Sequence, residues 1–381
     1  MKLKKILFAT SHPIQYQVPL FQKVFNLNKS FLVMYDKAVS KKVLIADNEF
    51  NKKINWGSSL IKGYPFKIFS TNNNFILNIV NLYKFLKKNK IEFLILSGWN
   101  SNFYKIILIL SIFLKLKIIL RCENNFYNQN IFKKFYKKKI LKILFKKMHK
   151  FIAIGKKNRE MYLDCGVSRK KIINSFYFVD KYFFSKKEIN IKKKNFLKKK
   201  YKNDNEKIFI FVGKLIRRKG INTLLQAIKI INKKHYKYEY KFLIIGSGPE
   251  ELNIKNFIYN NQLKNIYLLN FKNQSELIHF YDLADYLILP SDYETWGLVA
   301  NEALEMGTPC IVSDGCGCAN DLIQNNLNGF IFPKKNHIRL SNLIVKILNS
   351  NKKFGINEMI IKKTLTRYNI DKSVSSIINL N

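Results

Sequence analysis

Short apolar runs punctuate the chain, and between them lie longer stretches whose apolar residues recur at helical spacing. KKILFA, FLVMY, EFLILS, KIILR and KFIAIG fall in the first half; IFIFVGK, KFLIIG, IYLLN, YLILP, PCIVS and GFIFP fall in the second. Such runs read as strands buried on both faces, and the stretches between them as the helical crossovers that parallel strands require. The predicted fold class is α/β, with two Rossmann-like, doubly wound domains facing each other across a cleft. That arrangement directs the carboxyl ends of both sheets toward the ligand.

At 381 residues the chain is too long for one ordinary core and suits two domains. The stretch VDKYFFSKKEINIKKKNFLKKKYKNDNE is highly charged and weakly periodic, which marks it as the connection. The predicted division is an N-terminal Rossmann-like domain over 1–180, a basic linker over 181–205, a second Rossmann-like domain over 206–365, and a C-terminal segment over 366–381 packing back on the first domain. No internal repeat is present. The longest apolar run, IILILSIFL, is followed at once by Lys115 and Lys117 and is too short to span a bilayer, so it reads as a buried helix. The N-terminus has only ILFA where a secretory signal needs a longer apolar core, and a cytoplasmic location is expected.

Composition changes this picture in one respect. The net charge is +43, large enough to bias encounters with polyanions or anionic lipid. Lysine is raised everywhere, loops included, so a compositional origin stays open beside a functional one. One segment stands apart. IFKKFYKKKILKILFKKMHK, Ile131 to Lys150, interleaves lysine pairs with aromatic and aliphatic residues. It reads either as a basic helix lying on an anionic inner-membrane face or as a core helix with a solvated lysine face. The five cysteines suit a reducing compartment. Cys316 and Cys318 have no second pair or nearby histidines, so no metal site is expected.

The most informative stretch is SDYETWGLVANEALEMGTPCIVSDGCGCANDL, Ser291 to Leu322. A strand, YLILP, leads to an acidic residue, Glu294. A helix is predicted from Thr295 or Trp296 to the stop at Gly307, followed by the strand PCIVS. The first amides of that helix lack partners within it and favour an anion. A second carboxylate, Glu302, is predicted two turns along, roughly 12 Å away. That is about the span of a nucleotide sugar.

Glu–x7–Glu in this setting resembles the retaining glycosyltransferases of family 4, which have the GT-B fold. Three further blocks carry the same resemblance in order: FVGKLIRRKGINTLLQAI, LIIGSGPEEL and NFKNQSELIHFYDLADYLILPS. In the N-terminal half, ATSHPIQYQVPLFQKV, INWGSSLIKGY, LSGWNSNF and FIAIGKKNREMYLDCGVSRKKI are similar to a subset of that family. The likeness is weakest over 126–150 and 186–205.

The resemblance implies an enzyme that moves a hexose from a UDP-, GDP- or ADP-sugar to a glycan or lipid-linked acceptor with retention, without metal or cofactor. Lys214 and Lys219, with Arg218 and Gly213, would meet the diphosphate, where fixed cations stabilise a departing anion. Glu294 would bind donor-sugar hydroxyls and Glu302 the ribose. The amides of Trp296, Gly297 and Leu298 would meet phosphate or sugar. Gly246 and Gly248 form the second phosphate-side turn, and Phe271 and Lys272 lie by the base. On the acceptor or sugar side stand His12 and Gln15. There too Arg121 or Glu123 takes the place where many family members present a histidine. The loop SHPIQY also lacks the glycines that many members carry there.

Other functions are less well supported. The third glycine of a dinucleotide fingerprint is missing after Gly248, since the sequence continues Pro249, Glu250, Glu251 and Glu251 stands where that glycine would, which disfavours an oxidoreductase. No nucleic-acid reader motif accompanies the lysines, and no nucleic-acid partner is expected. A binding-only relative with weakened turnover stays open. No D-x-D pair is present.

Overall fold

The computed structural model describes residues 4–36, 44–47, 52–55, 61–69, 75–126, 131–181, 183–203, 206–233, 239–350 and 357–380. The chain divides into two compact units. The first is Met1–Leu44, Ser58–Phe178 and Asn369–Asn381; the second is Ile45–Gly57 and Val179–Tyr368. Residues 56–60 of the INWGSSLIKGY block lie outside the described residues.

Every apolar run of the sequence pattern contributes a strand. The elements are β1 (Ile6–Thr10), α1 (Val18–Leu27), β2 (Phe31–Tyr35), β3 (Leu44–Asp47), β4 (Lys52–Asn55), β5 (Phe66–Ile68), α2 (Phe75–Lys88), β6 (Phe93–Leu96), α3 (Asn102–Phe113), β7 (Lys117–Leu120), α4 (Ile131–Phe145), β8 (Lys150–Ala153), α5 (Lys156–Asp164) and β9 (Ile172–Asn174). The strand β3 pairs with β4 as a separate small sheet, which apart from Leu44 belongs to the second unit, and the other seven form one sheet of the first unit in the order β5-β2-β1-β6-β7-β8-β9. Its pairings are parallel. The order reverses between β1 and β6, which makes their carboxyl ends the switch point of this unit. One core cluster joins Leu82 and Leu86 of α2, Phe103 and Ile107 of α3, Leu141 and Phe145 of α4, and Met161 and Tyr162 of α5 to the strands.

The second unit contains α6 (Ile191–Tyr201), β10 (Glu206–Val212), α7 (Ile221–Ile231), β11 (Glu239–Ile245), α8 (Glu251–Asn260), β12 (Ile266–Leu269), α9 (Gln274–Leu283), β13 (Tyr286–Leu289), α10 (Leu298–Glu305), β14 (Cys310–Ser313), α11 (Ala319–Leu322), β15 (Gly329–Phe332), α12 (His337–Asn349) and α13 (Glu358–Leu365). Its six strands run in the order β12-β11-β10-β13-β14-β15, again in parallel. Here the switch point lies between β10 and β13. The helix α7 shows why the sequence folds locally as it does. Gly220 takes a left-handed turn at φ 69°, and Ile221, Leu224, Leu225, Ile228 and Ile231 then fall on one face and are buried. Each such side chain contributes about 1.5–3 kcal/mol of burial free energy. The last helix, α14 (Ile370–Ile378), packs on α1 in the first unit. Lys23 pairs with Asp371 at 2.9 Å, and Ser373 Oγ donates to the Phe176 carbonyl at 3.0 Å.

Two sequence expectations change. The charged stretch over 181–205 carries α6, capped by the Asn190 side chain and tied by Lys194 to Asp282 at 2.8 Å. Its periodicity is faint because only Leu197 and Tyr201 are buried. The run IILILSIFL is a helix buried on one face only: Ile107 and Leu108 are core residues, whereas Ile109 and Phe113 face outward.

Gly246 and Gly98 offer a contrast that packing alone decides. A Cβ on Gly246 falls 1.9 Å from the Gly213 carbonyl oxygen, whereas one on Gly98 makes ordinary 3.4 Å contact with the Tyr104 ring. Gly246→Ala is expected to cost more than ~2 kcal/mol of stability and Gly98→Ala less than ~0.5 kcal/mol, as read from urea midpoints.

Candidate active site

At the switch point of the second unit, the loop after β10 meets the loop after β13 backbone to backbone. A Cβ on Gly220 would fall 2.0 Å from the Pro290 carbonyl oxygen, so only glycine admits the approach. The Asp292 amide then donates to the Arg218 carbonyl at 2.9 Å. Two more crossings fix the next residues of the loop: the Glu294 amide donates to the Gly315 carbonyl at 3.2 Å, and the Gly317 amide donates to the Glu294 carbonyl at 2.9 Å. Glu294 is therefore held from both sides on its main chain.

These contacts bring Lys219 and Glu294 together. Lys219 Nζ donates to Glu294 Oε2, and Arg218 Nη1 lies 4.0 Å from the same oxygen. The Lys219 and Glu294 side chains are only 14% and 12% exposed. Lys214 leaves the end of β10 in the same loop. Arg217, further out, pairs with Glu250 at 3.3 Å.

The helix starts later than its sequence suggests. It begins at Leu298, capped by Gly297 in a left-handed conformation at φ 107°. Trp296 cannot join it, because its segment pairs with the 315–318 turn; the Cys318 amide donates to the Trp296 carbonyl at 3.0 Å. The indole is buried and donates to Asn301 Oδ1 at 2.8 Å. No hydrogen bond among the described residues uses the amides of Gly297, Leu298 or Val299; the Ala300 amide is the first to be taken, by the Gly297 carbonyl. Glu294 Cγ lies 3.5 Å from where a Gly297 Cβ would be. The carboxylate thus sits between the cations and a helix end suited to anions.

Glu302 lies in the second turn of α10, so the helical rise separating it from the start of α10 is about 6 Å rather than two full turns. It is 8% exposed. Tyr281 donates to its Oε2 at 2.7 Å and Gln274 to its Oε1 at 3.4 Å. Burial pushes the Glu302 carboxyl up, and these two donors hold it back. Gly248 approaches Leu215 so closely that a Cβ would fall 2.5 Å from its carbonyl oxygen. Ser247 Oγ accepts the Phe271 amide at 3.3 Å, and Lys272 pairs with Glu276 at 3.3 Å.

The first unit brings a different set together at its strand ends. Arg121 is 3% exposed, with its guanidinium 5.2 Å from the centre of the Tyr177 ring. Burial pulls its pKa down, and neighbouring Glu123 opposes that. Tyr16 donates to Glu123 Oε1 at 3.1 Å and Tyr177 donates to the same oxygen. His12 is exposed, with Nδ1 2.8 Å from Ser11 Oγ; Gln15 opens the short turn before α1. Sequence reasoning misses Tyr16, Tyr177, Tyr281 and Gln274 as functional residues, since none carries a motif's chemistry. The last two do fall inside the NFKNQSELIHFYDLADYLILPS block. Among the described residues, no three His, Cys, Asp or Glu side chains gather as a metal-binding group.

Residues 192–364 match the family model described as "Glycosyl transferases group 1". An uncharacterized glycosyltransferase of Methanocaldococcus jannaschii is 30% identical over 182 residues, 46% of this chain and 45% of that protein. The capsular polysaccharide biosynthesis glycosyltransferase CapM of Staphylococcus aureus is 33% identical over 160 residues, 41% of this chain and 40% of the relative. The chain thus spans less than half the length of these curated relatives. The crystal structure of Anabaena Alr3699/HepE in complex with UDP covers 98% of this chain and 97% of its own, with a TM-score of 0.73 at 15% identity. The fold is that of GT-B glycosyltransferases, with two Rossmann-like α/β domains.

One further carboxyl on α10 gives a measurable signature. Burial raises Glu305 from its ordinary 4.5 to about 7, against the pull of Lys181. Between those values the folded state keeps a proton that the unfolded chain has lost, so stability falls as pH rises from about 4.5 to about 7. Glu305→Gln is expected to remove that part of the slope. The gap between variant and wild type in urea midpoint should be larger at pH 8 than at pH 5.

Proposed function

We propose that the chain is a retaining glycosyltransferase of family 4, moving a hexose from a nucleotide sugar to a glycan or lipid-linked acceptor in cell-surface polysaccharide synthesis. The observation that carries the reading is the group formed by Lys219, Arg218, Glu294 and the three amides at the start of α10 that no hydrogen bond among the described residues uses. The match over 192–364 to a glycosyltransferase model supports it, as does a solved neighbour of the same fold that holds UDP.

In this reading the donor diphosphate rests on the amides of Gly297, Leu298 and Val299, with Lys214, Arg218 and Lys219 supplying counter-charge. Glu294 accepts hydrogen bonds from the hexose, and Glu302, oriented by Tyr281, accepts from the ribose. His12, Gln15, Arg121 and Glu123 are assigned to the acceptor or sugar side. The bond from the anomeric carbon to the phosphate oxygen breaks as the acceptor oxygen bonds on the same face. The acceptor's proton passes to the departing phosphate, so no protein nucleophile is required. Charge stabilisation and positioning supply the rate.

Acceptor delivery at an anionic membrane surface is part of the proposal. On α4 the outward face carries Phe132, Phe135, Tyr136, Ile140 and Ile143, with Phe132 75% exposed. Lys139 and Lys142 are exposed on the same helix, and Lys146 and Lys147 are exposed in the turn that follows it. Rings and aliphatic chains pointing outward among lysines suit insertion between anionic headgroups. No described helix is long and apolar enough to cross a membrane.

Three measurements test this reading. A panel of nucleotide sugars should contain one that raises the melting temperature, because a bound donor stabilises the folded state. With that donor, Glu294→Gln and Lys219→Ala should each lower transfer about a hundredfold; near-normal turnover in either refutes the assignment. Wild type should float with phosphatidylglycerol vesicles at moderate salt, and a variant with Lys139, Lys142, Lys146 and Lys147 changed to Glu should stay behind. Equal flotation removes the membrane part.

A further inference from the structure

Glu294 does more in this geometry than face a sugar. Its Oε2 is the partner of Lys219 Nζ and lies 4.0 Å from Arg218 Nη1. With both pair members largely shielded from water, the attraction is only weakly screened. The main chain of Glu294 is pinned by Gly315 on one side and Gly317 on the other, so backbone movement cannot carry the carboxylate away. Any anion that uses Lys219 and Arg218 must therefore compete with a carboxylate already there.

We propose that Glu294 is a specificity-determining residue that selects the intact nucleotide sugar over the free nucleoside diphosphate. This rests on the proposed function, in which the diphosphate lies on these cations and the α10 amides. Both ligands bring a pyrophosphate to a site whose cations are partly neutralised, and both meet repulsion from Glu294; the free diphosphate, with about one more negative charge on its terminal phosphate, meets more of it. Only the intact donor brings hexose hydroxyls that donate to the displaced carboxylate and offset its loss of Lys219. The product lacks them. The same residue thus supports donor binding and weakens retention of the leaving diphosphate, which favours release after each turnover.

Isothermal titration of UDP, GDP and ADP, and of the matching nucleotide sugar, tests this on wild type and Glu294→Gln. Removing the carboxylate's charge should tighten binding of the diphosphate about tenfold while the nucleotide sugar binds no tighter, so the preference for the donor collapses. Glu294→Ala should show the same gain for the diphosphate, which guards against a folding defect peculiar to one variant. In a Lys219→Met background the gain from Glu294→Gln should shrink, because the two groups act on one another. Unchanged or weaker diphosphate binding in folded Glu294→Gln overturns the inference, as does an undiminished gain without Lys219. If neither wild type nor Glu294→Gln binds any of the three diphosphates or the nucleotide sugars, the assignment of the site itself fails, and this inference falls with it.

Discussion

The candidate site depends on backbones touching where side chains would keep them apart. Gly220 against Pro290, Gly246 against Gly213, Gly248 against Leu215, and Gly317 against Thr295 are all approaches that a Cβ would block. Each joins loops at the carboxyl ends of neighbouring strands. Enlarge any one of these glycines and the loops separate, taking Lys219 from Glu294 or the β11 turn from the β10 loop. The chemistry is thus set by main-chain geometry first and by charged side chains second. This agrees with the general use of glycine where a backbone must come close to something else.

Much of the architecture is legible because parallel strands are buried on both faces and write themselves as apolar runs. β6, FLIL, with all four residues apolar and buried, is a clear case. The strands that leave no such trace are at edges or outside the main sheets. β5 is three half-exposed or exposed residues with a lysine at its centre, and β9 ends one sheet with no buried residue. Burial has not selected an apolar pattern there, so none can be read.

At the site, residues in motifs can be named from the sequence, and residues that orient them cannot. Lys219 and Glu294 are visible; Tyr281, which holds Glu302, is one tyrosine among twenty. The sequence places the start of α10 too early because TWGLVANEAL is acceptable helix sequence throughout. The deciding factor is tertiary: the segment before Gly297 spends its hydrogen bonds on the 315–318 turn. A similar limit applies to α4. Its composition allows two orientations, and only packing through Leu141 and Phe145 chooses which residues face outward. The overall charge gives little guidance, since the cations beside Glu294 matter through their position rather than their number.

The placement of α14 has a consequence for how the molecule is made. Ile377 and Leu380 are buried in the first unit, and Lys4 Nζ donates to the Leu380 carbonyl. These residues leave the ribosome after the whole of the second unit has been synthesised. The first unit therefore cannot close until α14 has followed the second, and its α1 surface waits uncovered while its neighbour folds. Domains usually complete themselves in the order of translation; here a unit started before its neighbour is closed by a helix made after that neighbour.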